Sequence, residues 1–149
     1  MSGASAGEVA HAGMRGAIAA MAMTGMRKFT VHVGIVKETP PDAILRRRAS
    51  GLLKRVPEDR RRVAIELAHW AYGAGGGLAF GLLPDGLRLR AWAGPLYGLV
   101  VWLGFELGIA PALGLPQAEK PRPAERAGLA ADHLLYGLVL SETRARPQE

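Results

Sequence analysis

Residues 63–83, VAIELAHWAYGAGGGLAFGLL, form the stretch that decides the fold. They include no Lys, Arg or Pro, and the only acidic or imidazole side chains among them are Glu66 and His69. A helix of this length covers about 30 Å at roughly 1.5 Å per residue, which matches the hydrocarbon core of a bilayer. The stretch therefore predicts a membrane-spanning helix.

Glycines spaced four residues apart share one face of a helix and let two backbones approach closely in lipid. The chain has 20 glycines in 149 residues, about twice the usual share of roughly 7%. This enrichment favours close helix packing in a membrane. The candidate packing positions are Gly73, Gly77, Gly81, Gly94, Gly98, Gly104, Gly108 and Gly137.

The other apolar segments extend this interpretation to an all-α fold, a four-helix transmembrane bundle in a single domain of residues 1–149. Arg27 and Lys28 close the first apolar segment. A cleaved signal peptide is the alternative for that segment, but its positive charges do not precede the apolar run in the usual way. The predicted helices cover residues 8–36, 63–83, 91–113 and 124–143, and a basic loop covers 37–62.

The basic loop carries nine Lys or Arg residues and most of the net charge of +6. Beside spanning helices, such a loop indicates the cytoplasmic side rather than a nucleic-acid site, so both chain termini are expected outside. An amphipathic helix within the loop would place Arg46, Arg47, Lys54 and Arg55 against anionic lipid head groups. A solvated helical loop without lipid contact is the alternative.

Five acidic or imidazole side chains lie in the apolar parts of the predicted spans, where each costs about 2.5–3.5 kcal/mol at the bilayer centre. They are therefore expected to face the bundle interior and to be paired. They could serve as hydrogen bonds between helices, or as a path for protons or ions. A carboxylate-bridged metal site needs two Glu-x-x-His motifs plus two further Glu, and the apolar parts of the predicted spans include one such motif, Glu66-x-x-His69, so no metal is predicted. The five residues are Glu66, His69, Glu106, Asp132 and His133.

A weak internal repeat links the second and fourth predicted helices. His69–Gly73 and His133–Gly137 both read H-x-x-Y-G. The match suggests two helix hairpins related by an axis along the membrane normal, with the two His side chains at equivalent depths. Chance similarity is the alternative.

Three segments carry a resemblance to a known family. They are RGAIAA from Arg15 with Met23 and Thr24, Tyr97–Trp102 with Gly108–Leu113, and ADHLLYG from Ala131. They resemble the YagU-like inner-membrane proteins of bacteria, a family without an assigned biochemical activity. That family has Ala-His-Leu more often than Ala-Asp-His, so Asp132 is a departure, as is the basic first loop. The resemblance implies a four-helix integral membrane protein and brings no catalytic residues.

Together these patterns predict a small multi-pass protein of the bacterial cytoplasmic (inner) membrane. Its expected role is structural or in assembly, without catalysis or a cofactor, and the alternative is a transporter or a proton- or ion-conducting protein that uses intramembrane Glu and His. The expected partners are membrane lipids and a second copy or a larger membrane complex, and no nucleic acid. Because the chain has no Cys, disulfides and thiol chemistry are excluded.

Overall fold

The computed structural model describes residues 4–34, 55–112, 114 and 123–141. Within these ranges the chain is helical and has no strand, which confirms the predicted all-α class. The helices are α1 (Ala6–His32), α2 (Glu58–Gly81), the one-turn α3 (Asp85–Arg88), α4 (Ala93–Ala112) and α5 (Pro123–Ser141).

Helix α1 is capped at its start and stopped by a glycine at its end. The N–H of Glu8 donates to the hydroxyl of Ser5 at 3.3 Å, and the N–H of Ser5 donates to the carboxylate of Glu8 at 2.8 Å. This capping box satisfies two backbone donors at the helix start. The helix ends at His32, and Gly34 takes a φ of +76°, which a right-handed helix does not accommodate. The predicted end at residue 36 is therefore too late.

Helix α2 begins at Glu58, earlier than the predicted start at residue 63. Glu58 and Asp59 occupy its first turn, where negative side chains stabilise the positive end of the helix dipole. The last part of the predicted basic loop, Arg60–Arg62, therefore belongs to the helix.

The remaining part of the basic loop is described only at its end. Arg55 lies exposed in the turn before α2. The predicted lipid-surface helix with Arg46, Arg47 and Lys54 lies outside the described residues.

Helix α4 changes its winding along its length. It is α-helical over Ala93–Gly104, π-helical over Phe105–Ile109 and α-helical again over Ala110–Ala112. The N–H of Ala110 donates to the carbonyl of Phe105, five residues back. Pro111 lies in the last α-helical segment, Ala110–Ala112.

Glycines form the closest helix contacts. Helix α1 packs against α2 and α5, and α4 packs against α5. A Cβ added at Gly16 would overlap the carbonyl oxygen of Gly73, and one added at Gly94 would overlap that of Gly137. Gly73 and Gly137 are the last residues of the two H-x-x-Y-G segments, so the pairs α1–α2 and α4–α5 make corresponding contacts.

Three charged side chains lie inside the bundle, and many large apolar side chains lie outside. Arg27, Glu106 and Asp132 are each at most 6% exposed, while the buried apolar residues include several alanines. Large apolar side chains lie exposed on each of the four long helices, and they include Ile18, Leu67, Leu96, Val100, Leu107 and Leu138. Phe80, Leu129 and Leu140 are also buried, so the bundle has an apolar core as well, and the unusual feature is the burial of charged side chains.

Among the described helices, Ala93–Ala112 is the one long and apolar enough to cross a membrane. Its mean hydropathy is 1.4, and 28% of the apolar window is buried inside the bundle. A core helix of a soluble protein can pass the same test, but such a helix is mostly buried. Helix α2 does not pass it; Glu66, His69 and its glycines lower its hydropathy.

Candidate functional site

A cavity of about 620 Å³ lies in the bundle between α2 and α4. Its back wall consists of buried residues from α1 and α5, and its rims consist of more exposed residues from α2 and α4. Many of its lining side chains are apolar, among them Ile65, Val101 and Leu129. The four charged or imidazole side chains in the lining are Arg27, His69, Asp132 and His133.

Arg27 connects three helices at this cavity. Its Nη2 lies 2.8 Å from Nε2 and 3.0 Å from Nδ1 of His69, so the guanidinium donates to the imidazole. Its Nε donates to the carbonyl oxygen of Met23 at 3.4 Å and lies 3.8 Å from Oδ2 of Asp132. Because Arg27 is 6% exposed and Asp132 is 2% exposed, the two opposite charges compensate each other away from solvent.

Asp132 has one oxygen without a partner. Its Oδ1 is buried and accepts no hydrogen bond within the part of the chain that the structure describes. The large majority of buried polar side-chain atoms in proteins are paired, so an orphaned carboxylate oxygen needs an explanation. It is an acceptor, and a ligand or a water molecule that donates a hydrogen bond would satisfy it.

His133, the next residue, is oriented by the backbone. Its Nδ1 lies 2.8 Å from the carbonyl oxygen of Leu129. Because a carbonyl can only accept, Nδ1 carries the proton, and Nε2 of the neutral ring is an acceptor. Asp132 and His133 therefore both present acceptors, while Arg27 supplies donors.

Two tyrosine hydroxyls connect α2 to its neighbours. The hydroxyl of Tyr97 donates to the carbonyl of Gly76 at 2.8 Å, and that of Tyr136 donates to the carbonyl of Gly73 at 2.6 Å. The rings of Tyr97 and Phe80 meet edge to face, with their centroids 5.2 Å apart. The contacts of Tyr97 hold α2 to α4, and that of Tyr136 holds α2 to α5.

The structure brings three of the five predicted ionisable residues together, since His69, Asp132 and His133 line one cavity. Glu66 lies one turn before His69, and it accepts a hydrogen bond from the hydroxyl of Thr24 at 3.0 Å. It is not part of the cavity lining.

Glu106 lies apart from the cavity lining, on the π-helical segment of α4. It is 4% exposed and forms an ion pair with Arg126 of α5. Its Oε2 is buried and has no partner among the described residues. Glu106 therefore joins α4 to α5 and does not contribute to the polar group around Arg27.

Sequence reasoning places Arg27 at the flank of the first helix, whereas the structure places it in the bundle interior. The spacing of residues along α1 indicates that Arg27 is buried. Ala20, Met23, Arg27 and Thr30 are all buried and follow one another at intervals of three or four residues. Arg27 therefore continues the face that α1 buries.

Six of the eight predicted packing glycines lie at helix contacts. An added Cβ at Gly73, Gly77 or Gly81 would meet α1, one at Gly94 or Gly98 would meet α5, and one at Gly137 would meet α4.

Gly104 and Gly108 differ from the sequence-based prediction. A Cβ added at either position would have no described neighbour within 4 Å, and both residues are exposed. The reason is the angular position of the two glycines around the axis of α4. At about 100° per residue, Gly104 is turned roughly 240° from Gly98 and faces away from α5.

The site offers hydrogen bonding rather than a ligand set for a metal. Among the described residues, no group of three or more His, Cys, Asp or Glu side chains is placed to hold an ion. The cavity instead combines one guanidinium, one carboxylate and two imidazoles with apolar walls.

No family model, curated protein or solved structure matches the chain. The similarity to the YagU-like family therefore stays a prediction, and the function must be argued from the bundle and its cavity.

Proposed function

We propose that the chain is a small multi-pass protein of the bacterial cytoplasmic membrane, with α1, α2, α4 and α5 as four spans. The burial of Arg27, Glu106 and Asp132 beside many exposed large apolar side chains supports this most strongly. In water this arrangement is unfavourable for two reasons. The buried charges lose their hydration, and the exposed apolar side chains stay in contact with water. In lipid, charged groups are expected in the bundle interior and apolar groups outside.

The helix lengths are sufficient for this arrangement. The four long helices have 27, 24, 20 and 19 residues. At roughly 1.5 Å per residue each covers close to 30 Å or more, the thickness of the hydrocarbon core. The glycine contacts allow the backbones to pack tightly without a driving force from water.

The role that we assign to this bundle is structural or in membrane assembly, without catalysis or a cofactor. The glycine contacts between α1 and α2 and between α4 and α5 support a rigid unit. The exposed apolar side chains leave outer faces on which a second copy or another membrane helix can pack. Anionic lipid head groups are the proposed partners of Arg46, Arg47, Lys54 and Arg55 in the basic loop.

A second candidate is the passage of protons or ions. The observation that favours it is the grouping of His69, Asp132 and His133 with Arg27 along one cavity. Imidazoles and carboxylates inside spans are typical of proton relays. Replacing both histidines by Gln separates the two roles: pH-driven flux into liposomes would be lost with folding intact if they conduct, and would be unaffected if they only pack.

Membrane fractionation tests the location. The chain should sediment with membranes, resist alkaline carbonate and need detergent for extraction. Val100 is 56% exposed on α4 and Leu87 is 39% exposed in α3, between α2 and α4. Val100→Lys should reduce membrane insertion and Leu87→Lys should not, because a charge costs about 2.5–3.5 kcal/mol only at depth. A monodisperse protein in the supernatant without detergent would refute the proposed location.

A further inference from the structure

The cavity between α2 and α4 has the size of a small-molecule site. Its volume of about 620 Å³ falls within the range of roughly 300–1,000 Å³ that small-molecule sites occupy. Apolar side chains such as Ile65, Val101 and Leu129 line much of it, and its rims on α2 and α4 are exposed. In a membrane, a chain-like apolar molecule could enter between these two helices.

The charges at the cavity limit what the head group of such a molecule can be. Arg27 and Asp132 form an ion pair in which both residues are nearly buried, so the pair is already balanced. An anionic head group would face Asp132, and a cationic head group would face Arg27. Either would add an uncompensated charge in a medium of low dielectric, which is costly. An uncharged head group avoids this cost.

The hydrogen-bonding groups indicate what the head group must supply. Oδ1 of Asp132 is buried without a partner, and Nδ1 of His133 donates to a backbone carbonyl, which leaves Nε2 of the neutral ring as an acceptor. The hydroxyls of Tyr97 and Tyr136 already donate to carbonyls of α2. The free capacity that can be identified on Asp132 and His133 is therefore for accepting, and the ligand must donate.

We propose that this cavity binds an uncharged, lipid-soluble molecule whose head group carries a hydroxyl, and that the hydroxyl donates to the carboxylate of Asp132, which turns towards the cavity when the ligand binds. The apolar tail lies along the α2 and α4 walls. Long-chain alcohols and isoprenoid quinols share this chemistry. The inference adds a ligand class to the proposed membrane protein and relies on the membrane only as the source of that ligand.

Equilibrium binding of radiolabelled dodecanol to the purified full chain in lipid nanodiscs tests the proposal, with empty nanodiscs subtracted. Dodecyl methyl ether, dodecanoate and dodecyltrimethylammonium have the same tail with no donor, a negative charge or a positive charge. Each should compete at least about tenfold less well than dodecanol, since one hydrogen bond to a charged group is worth at least about one power of ten in affinity. A short-chain quinol serves as a second competitor, and its potency relative to dodecanol distinguishes a quinol site from a site for long-chain alcohols.

Variants localise the binding. Asp132→Asn should weaken dodecanol binding about tenfold, because a charge-assisted hydrogen bond is replaced by a neutral one. Glu106→Gln is the matched control: it neutralises a carboxylate that is nearly as buried but lies outside the cavity lining, and binding should not change. Val101→Trp should block binding by filling the cavity without altering the polar group, which covers the case in which Asp132→Asn fails to fold.

Equal binding of dodecanol and its methyl ether would overturn the proposal, as would tighter binding of dodecanoate, which would indicate an anion site at Arg27. Unchanged binding by both Asp132→Asn and Val101→Trp would place the ligand elsewhere. Fractionation tests the membrane location separately, so a failure of the location and a failure of the site can be told apart.

Discussion

At the scale of single residues, the ion pair of Arg27 and Asp132 is the most consequential contact in the bundle. The two atoms that define it are 3.8 Å apart, and both residues are nearly buried. A buried pair contributes little relative to an apolar pair, but losing one partner strands the other charge, which costs about 3–5 kcal/mol. Arg27→Gln should therefore destabilise the protein by about that amount, measured as thermal or denaturant unfolding in detergent.

A double variant and a surface control complete this prediction. Adding Asp132→Asn to Arg27→Gln should recover part of the loss, because the stranded carboxylate is removed. Arg60→Gln breaks the pair with Asp59, in which both side chains are more than three-quarters exposed, and should leave stability unchanged. If Arg27→Gln behaved like Arg60→Gln, the guanidinium would not be buried as the structure has it.

Helix α1 has 27 residues, more than the roughly 20 that cross the hydrocarbon core, so its first turn lies at the membrane surface, and this turn carries a pH-dependent contact. The backbone N–H of Ser5, its hydroxyl and the guanidinium of Arg88 lower the pKa of Glu8 from 4.5 to about 2. A carboxyl group whose pKa is lowered by folding stabilises the folded state above its unfolded pKa and loses that contribution as pH falls through the folded value. The contribution of Glu8 should thus be complete above a pH of about 4.5 and vanish towards a pH of about 2.

Comparison of the wild-type protein with Glu8→Gln across this pH range measures that contribution. The wild-type protein should be more stable near neutral pH, and the difference should close as acid protonates Glu8. Arg88→Gln should reduce the difference, because Arg88 donates to Glu8 at 3.1 Å. A difference that stays constant with pH would show that the capping contact does not depend on the charge of Glu8.

At the scale of helices, glycine positions in one helix should differ sharply in what they tolerate. A Cβ added at Gly16 would overlap the backbone of α2, whereas one added at Gly25 in the same helix would meet nothing within 4 Å. Gly16→Ala should therefore destabilise the protein by about 1–3 kcal/mol through overpacking. Gly25→Ala should be neutral or stabilising by up to about 1 kcal/mol, because Ala is the better helix former.

The same pairing can be repeated in α4. Gly98→Ala would push a methyl group into the carbonyl of His133, while Gly104→Ala points into open space. Unfolding in detergent would rank the four variants, and equal stability of Gly16→Ala and Gly25→Ala would contradict the close approach of α1 and α2. The comparison also separates helix packing from helix propensity, since all four substitutions add the same methyl group.

The sequence predicts the helices well because their length and glycine spacing are local properties. It misplaces the start of α2, because Glu58–Arg62 are polar yet favourable in a first helical turn. It also cannot give the π-helical turn at Phe105–Ile109, which depends on backbone geometry. Of the site, His69, Asp132 and His133 are found as polar residues in apolar helices. Arg27 is missed because a charged residue that ends an apolar run is expected at the helix flank, although its spacing continues the buried face of α1.

At the scale of the whole molecule, the topology can be tested directly because the natural chain has no Cys. Single cysteines can be introduced at Arg55 before α2, at Gly86 between α2 and α4, and at Val100 in the middle of α4. All three positions are exposed in the bundle, so burial by protein does not limit their reaction. Only the membrane can make them differ towards a water-soluble, membrane-impermeant maleimide.

The basic loop is expected inside and the α2–α4 connection outside. In intact spheroplasts, Gly86→Cys should be labelled, Arg55→Cys should be labelled only after permeabilisation, and Val100→Cys only after detergent is added. Labelling of Arg55→Cys alone would invert the topology and keep the membrane placement. Rapid labelling of Val100→Cys without detergent would place the outer face of α4 in water, and the buried charges of the bundle would then need an explanation other than lipid.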